Sequence, residues 1–208
     1  MKIVFLADPI DNQNAGIHVY TKSLAEEFLH SDNEIIFIHE RENNFFDKTN
    51  HHIIPKKRKP FYNTYRKFHL IPKLITELNP DIVFEPCHIG PFRLPAHIKR
   101  VTTIHDITPI LFPETHTIRG AFIHKLLLKK AIRETDLIIT PSEHTKNDII
   151  KYRPHKNIKS IPLAAPNPTP KKVQNFHPFL LYIGTIEPRK NLTTSSTPLP
   201  NSASQTTN

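Results

Sequence analysis

Cysteine is nearly missing: Cys87 is the single one in 208 residues. That excludes an intrachain disulfide framework and a zinc site built on thiolates. Glycine is scarce, with 4 residues against 20 prolines. Long apolar runs are missing too, since none approaches the roughly 18–20 residues of a membrane-spanning helix. The opening stretch has one lysine followed by five apolar residues before Asp8. A secretory h-region needs about 7–15, so this stretch reads as a buried strand and not as a signal peptide. These absences lead us to expect a soluble, cytoplasmic chain. Acidic residues are in the minority, at 19 Asp+Glu against 28 Lys+Arg, for a net charge of +9 with 14 histidines neutral. The excess points to an anionic partner such as nucleic acid, anionic lipid or a phosphorylated substrate. It is equally what a soluble, positively charged surface would show.

The residues that are present, 38% apolar and 23% charged, suffice for one large domain or two small ones, and not for two full α/β domains. Residues 2–7 form a near-continuous apolar run, as in a strand buried on both faces. A polar loop is expected from Asp8 to Gly16. Ile17, Tyr20, Leu24, Ala25, Phe28 and Leu29 then recur at helical spacing. Residues 34–39 read as a second strand, completing a right-handed βαβ unit. Further strands are expected at 81–85, 100–104, 137–140 and 158–161. Helices are expected at 66–78, stopped by Asn79-Pro80, at 119–135, and at 143–152 with Ser142 as N-cap. This alternation predicts an α/β fold with a Rossmann-like, doubly wound parallel sheet over residues 1–162. The stretch 163–178 is proline-rich and aperiodic and reads as a linker. Residues 179–184 make one more buried strand. From Thr193 to Asn208 the chain has no charge and little to bury, so disorder is expected there.

Ligands of open α/β sheets sit at the carboxyl ends of the strands. Gly16, Gly90 and Gly184 all fall there, either for close approach of a ligand or for simple turn geometry. The first loop has neither the dinucleotide spacing nor a Walker lysine, which argues against nicotinamide and P-loop chemistry. His105-Asp106 closes an apolar strand. The histidine can donate to a substrate oxygen and the aspartate can orient it, or the pair serves the fold alone. The other histidines are scattered along the chain, so no metal is expected. Arg189 and Lys190 follow the 179–184 strand and suit a diphosphate, as fork and point charge, or simply form a solvated turn. The run 56–59 and the helical stripe Lys125, Lys129, Arg133 can face anionic lipid, or solvent. The basic run has few interleaved aromatics, which argues against nucleic acid as a partner.

Four segments, in order, resemble the GT-B glycosyltransferases of family 4, which includes many bacterial mannosyl- and other hexosyltransferases. They are NAGIHVYTKSLAEEF, VTTIHDITPILFPE, TDLIITPSEHTKNDI and FLLYIGTIEPRKNL. Together they extend the likeness over nearly residues 1–192. The resemblance implies two Rossmann-like halves around a cleft, the N-terminal half for the acceptor and the C-terminal half for a nucleotide-sugar. The transfer it implies needs no bound metal or other cofactor. By matching position, Gly16 and Gly184 would lie near the donor phosphates, His105 would meet the transferred sugar with Asp106 beside it, and Arg189 and Lys190 would neutralise the leaving diphosphate. Fixed cations aimed at that diphosphate would lower the barrier.

The chain departs from the family after Leu192. The Glu-x7-Glu segment of the donor half has no counterpart in the uncharged tail. An acceptor domain with only the first strand and phosphate loop of a donor domain (179–192) is therefore expected, truncated and inactive alone. The expected partners are a nucleotide-sugar, a lipid-linked or polysaccharide acceptor, an anionic membrane at its inner face, and a separately encoded C-terminal half. The alternative is a non-catalytic remnant that binds acceptor or membrane.

Overall fold

Isoleucine, valine, phenylalanine and leucine stand side by side in β1 (Lys2–Leu6) because both faces of that strand are covered. The structure, a computed structural model, describes residues 1–12, 15–87, 90–112 and 118–164. The expected linker (beyond residue 164), the 179–184 strand with its phosphate loop, and the 193–208 tail lie outside the described residues.

Elements follow β1 in the order α1 (Asp8–Asn12), α2 (Ala15–Leu29), β2 (Glu34–His39), a 3-10 turn (Asn44–Phe46) and β3 (Asn50–Ile53). Next come α3 (Tyr62–Tyr65), a π turn (Arg66–Leu70), α4 (Ile71–Leu78), β4 (Ile82–Glu85) and β5 (Lys99–Thr103). The last are α5 (Thr108–Leu111), α6 (Ile118–Glu134), β6 (Leu137–Thr140), α7 (Glu143–Tyr152) and β7 (Ile158–Ser160). The strands form one sheet of order β3-β2-β1-β4-β5-β6-β7, with every pairing parallel. This is a doubly wound, Rossmann-like α/β sheet. The compact unit that holds it runs from Met1 to Ala164.

Period-two alternation sorts β1 between two cores. Ile3 and Phe5 face one core with Ala25, Phe37, Phe46 and Phe84. Val4 and Leu6 face another with Ile36, Ile71, Ile75 and Val83. Phe5 sits at the centre of an aromatic cluster, with ring centroids 5.4 Å from Phe37 and 5.1 Å from Phe84. Ile104, Leu128, Ile132, Ile138 and Ile149 fill a third core.

Local signals act where expected. Ser142 Oγ accepts from the Thr145 amide at 3.2 Å and caps α7. Asn79 takes a left-handed conformation (φ 48°) and its amide closes α4 on the Ile75 carbonyl. Four details differ from the sequence reading. The loop expected from Asp8 to Gly16 contains the short helix α1. β3 is an additional strand that, among the described residues, pairs with β2 alone. The helix expected at 66–78, interrupted or begun anew near Pro72, begins earlier, at Tyr62, and its irregular stretch is a π turn just before Pro72. Leu29, assigned to the buried face of α2, is 43% exposed.

Candidate ligand cleft at the carboxyl edge of the sheet

The chain leaves β1 toward β2 and β3 on one side, then returns past β1 to build β4 through β7 on the other. The two windings diverge between β1 and β4, and the crevice beyond their carboxyl ends is the place where such sheets bind ligands. A cleft of about 180 Å³ lies there. Leu6, Ile17, Ile71 and Pro91 give it apolar walls, while Asp8, Asn12, Lys67 and Glu85 bring polar groups.

The Asp8 wall is rigidly held. Arg66 is fully buried and donates in a fork to both Asp8 carboxylate oxygens, at 2.6 and 2.7 Å. Its Nε–H donates to the Ile54 carbonyl. Such pairing offsets the cost of burying a guanidinium. The π turn places Arg66 inward, and turns of that kind frequently mark functional sites. Asn12 Nδ2 donates to the Asp8 carbonyl at 2.9 Å. Lys56, also on the cleft, forms an ion pair with Glu40. That contact spends one cation of the 56–59 run inside the fold, and Lys57 lies over the Tyr62 ring at 5.0 Å.

Glu85 ends β4 and is buried. Burial pushes its carboxyl up to about 8, against the pull of Lys67, the Cys87 amide and Arg100. The Cys87 N–H donates to Glu85 Oε1 at 2.9 Å. Burial, reinforced by the Glu85 charge, also pushes the Cys87 thiol up to about 12, so Cys87 is a thiol and no nucleophile at neutral pH. Beyond Cys87, Gly90 lines the cleft, has a φ of 102°, a conformation that favours glycine, and precedes a cis bond to Pro91. The Gly90 carbonyl accepts from buried Arg100 at 2.7 Å.

His105 follows β5. Its Nε2–H donates to the Pro86 carbonyl at 2.9 Å, which ties the ring to the loop after β4. The Tyr20 ring meets it edge-on at 4.9 Å, and the Tyr20 hydroxyl is 2.9 Å from Thr103 Oγ1. Thr145 Oγ1 donates to the His105 carbonyl at 3.2 Å. Burial lowers the His105 pKa, while the Pro86 bond and the Asp106 charge act to raise it. The ring is therefore neutral at pH 7. Asp106 Oδ1 accepts from the Thr108 amide at 2.9 Å, shaping the start of α5.

Gly16 is exposed in the first turn of α2, and a Cβ added there would meet nothing within 4 Å. Lys125, Lys129 and Arg133 are exposed along α6. Lys129 leans over the Tyr152 ring at 5.8 Å, and Arg133 reaches Glu134 at 3.8 Å. Gly184, Arg189 and Lys190 lie outside the described residues. Among the described residues no group of three or more His, Cys, Asp or Glu is arranged to hold a metal ion, and no helix is long and apolar enough to cross a membrane. The sequence reading missed Arg66, Lys67, Glu85 and Tyr20 as site residues. Only Glu85 carried a signal, a charged residue closing an apolar strand as His105 does.

The family model for Glycosyltransferase Family 4 matches residues 15–165. O-antigen chain mannosyltransferase B of Escherichia coli is 28% identical over 222 aligned positions, which take in 92% of this chain and 58% of that protein. The chain thus spans less than two thirds of that relative. Among solved structures, a Listeria monocytogenes protein described as a UDP-N-acetylglucosamine 2-epimerase superposes with a TM-score of 0.52 at 14% identity, covering 73% of this chain and 41% of that one. The S. aureus MnaA–UDP co-structure gives 0.51 at 9% identity, covering 76% and 42%. At such identities the likeness to both is one of fold.

Proposed function

The chain belongs to Glycosyltransferase Family 4, and from that membership we propose that it serves hexosyl transfer from a nucleotide-sugar to a lipid-linked or polysaccharide acceptor, with residues 1–162 as the acceptor-side domain. One observation supports this above the rest. Three of the family-like segments converge on His105: Tyr20 from the first touches its ring, the second contains it, and Thr145 from the third holds its carbonyl. A fold that used His105 only as a strand terminator would have no need to fix it from three elements.

In this reading His105 and Asp106 stand beside the transferring sugar. A neutral imidazole there adds no full positive charge against an oxocarbenium-like sugar, while its polar edge can meet a hydroxyl. Gly16 lies near the donor phosphates. Gly184 lies near those phosphates too, and Arg189 and Lys190 neutralise the leaving diphosphate, so no metal is called for. The E. coli relative bears the name of a mannosyltransferase acting on an O-antigen chain, in keeping with a hexose donor and a polysaccharide acceptor. Transfer requires a donor half beside this domain, from a longer or a separately encoded chain.

The test supplies radiolabelled nucleotide-hexoses and a membrane extract to the chain alone, and to the chain with a donor domain added in trans. Label should enter the extract only with the donor domain and should vanish in His105→Ala. No label in any combination would leave the non-catalytic reading. Exposed Lys125, Lys129 and Arg133 favour that second reading as well, as a contact for the inner face of an anionic membrane. Vesicle co-sedimentation checks it: pelleting should require anionic lipid and fade at high salt, because exposed charges are screened beyond about 10 Å at 0.1 M.

A further inference from the structure

The cleft between β1 and β4 has a chemistry that narrows its occupant. Its charges are largely neutralised from within. Asp8 is held by the Arg66 fork, and Lys56 is paired with Glu40. What remains toward the cleft is an uncommon pair: buried Glu85 below and exposed Lys67 from the π turn. Among the described residues a phosphate would find a single unengaged cation there, beside the Asp8 carboxylate. A cationic ligand would face Lys67. A neutral molecule rich in hydroxyls meets neither penalty. Leu6, Ile17, Ile71 and Pro91 offer the apolar surface that the C–H face of a pyranose covers, the usual combination of apolar walls and a few orienting polar groups.

We propose that this cleft is a hexose subsite in which Glu85 donates a hydrogen bond to one hydroxyl of the sugar and Lys67 donates to another oxygen. This rests on the hexosyl-transfer reading for placing an acceptor sugar here, and it adds which side chains hold that sugar.

The donor role follows from the surroundings of Glu85. Oε1 already accepts from the Cys87 amide, which leaves Oε2 to carry a proton. The groups acting on this carboxyl come from four directions: Lys67 from the π turn, Arg100 from β5, Asp8 from α1 and Cys87 just past β4. Burial outweighs the cations and pushes the carboxyl up to about 8. At pH 7 Glu85 is therefore a neutral acid, able to give a hydrogen bond that a carboxylate cannot. Above pH 8 it becomes an acceptor only.

Ligand-observed NMR on the full chain tests this, with methyl α-mannoside, α-glucoside and α-galactoside as probes. At least one should bind saturably at pH 7 and about tenfold more weakly at pH 9, as expected one pH unit above the titration. Glu85→Gln, whose amide also donates, should bind at pH 7 and lose the pH dependence. Glu85→Leu should not bind while keeping its circular dichroism. Should Glu85→Leu fail to fold, Lys67→Ala, at an exposed position, should still weaken binding several-fold. Binding that is flat with pH in the unmodified chain, binding unchanged in Glu85→Leu or in Lys67→Ala, displacement by inorganic phosphate, or no binding of any of the three probes would overturn the proposal. The transfer assay separates the two readings. Hexoside binding without label transfer under any condition retains the subsite and removes the transferase. Label transfer with an acceptor KM unchanged in Glu85→Gln at pH 9 and in Lys67→Ala retains the transferase and removes the subsite.

Discussion

Asp11 and Glu85 are both buried carboxyls beside the carboxyl edge of the same sheet, yet their environments push them in opposite directions. Asp11 Oδ2 accepts from the His39 ring and from the Glu40 and Arg41 amides, and Oδ1 from Asn43. Burial alone would raise its pKa, but the His39 bond, the Glu40 amide, Asn43 and the His39 charge together hold it below 3.8. Glu85 receives one amide and is pushed up to about 8. The first carboxyl is spent on the fold, because four donors are aimed at it. The second keeps hydrogen-bonding capacity that the fold does not use, which is what a binding group requires.

The comparison breaks first at Asp11. Asp11→Ala removes the acceptor from four donors, two of them amides near the end of β2, and should destabilise the unit by about 3–5 kcal/mol. Urea denaturation at pH 7 measures it. The sign with pH follows from the lowered pKa: the Asp11 contribution is complete above its unfolded value and is lost as pH falls through the folded one. The wild type should therefore lose stability in that acid range, and Asp11→Ala should lose less. A cost under about 1 kcal/mol would mean the network is ornamental.

Glu85→Gln should act in the reverse sense. A raised pKa means the native state prefers the protonated form, so stability falls as pH rises between the ordinary 4.5 and about 8. The amide does not ionise. Glu85→Gln should thus stabilise the unit at pH 7, by up to about 3 kcal/mol at roughly 1.4 kcal/mol per pH unit, and flatten the stability profile over that window. A stabilising substitution at a buried polar residue is the mark of a group kept for binding. Thermal melts from pH 5 to 9 decide it, and a destabilised Glu85→Gln would place Glu85 with Asp11 as a structural group.

How much of this was legible in the sequence depended on the range of the signal. The strands Lys2–Leu6, Glu34–His39 and Leu137–Thr140 announce themselves because their burial is written in consecutive side chains. Ser142 and Asn79 act within one helical turn and were equally visible. Asn50–Ile53 was not, since a strand reading Asn-His-His-Ile owes its form to the backbone of β2. Asp8–Asn12 is too short to show any period. His105 stood out as a polar residue closing an apolar strand. Glu85 closes β4 in the same way, but its meaning rests on Lys67, Arg100 and Asp8, brought near by the fold. Arg66 reads as an ordinary polar helix residue until the chain returns it to Asp8, 58 positions away.

A smaller effect sharpens the same contrast at His105. Tyr20→Phe removes the hydroxyl near Thr103 and keeps the ring edge on the histidine. The cost should be about 1 kcal/mol. NMR titration should still find the His105 pKa below the ordinary 6.5, since burial, the largest influence on it, is untouched by the change. A His105 pKa restored to the ordinary value would show that the hydroxyl bond, and not burial, keeps the imidazole neutral.

The smallest stability effect is expected at Gly16, where fold and ligand make separate demands. Gly16 lies in the first turn of α2, is exposed, and has nothing within 4 Å of where a Cβ would stand. For the fold alone, alanine is the better helix former, by about 1 kcal/mol in a helix interior and less in a first turn. Gly16→Ala should therefore leave stability unchanged or raise it by a few tenths of a kcal/mol. Asn12 and Ile17, on either side of it in sequence, line the cleft. If donor phosphates approach this backbone, a methyl group there obstructs them although it obstructs nothing in the protein. Label transfer in the presence of a donor domain should fall with an increased KM for the nucleotide-sugar, while methyl hexoside binding at Glu85 stays as it was. Unchanged transfer kinetics would detach Gly16 from the donor and leave it as a helix residue of no special consequence.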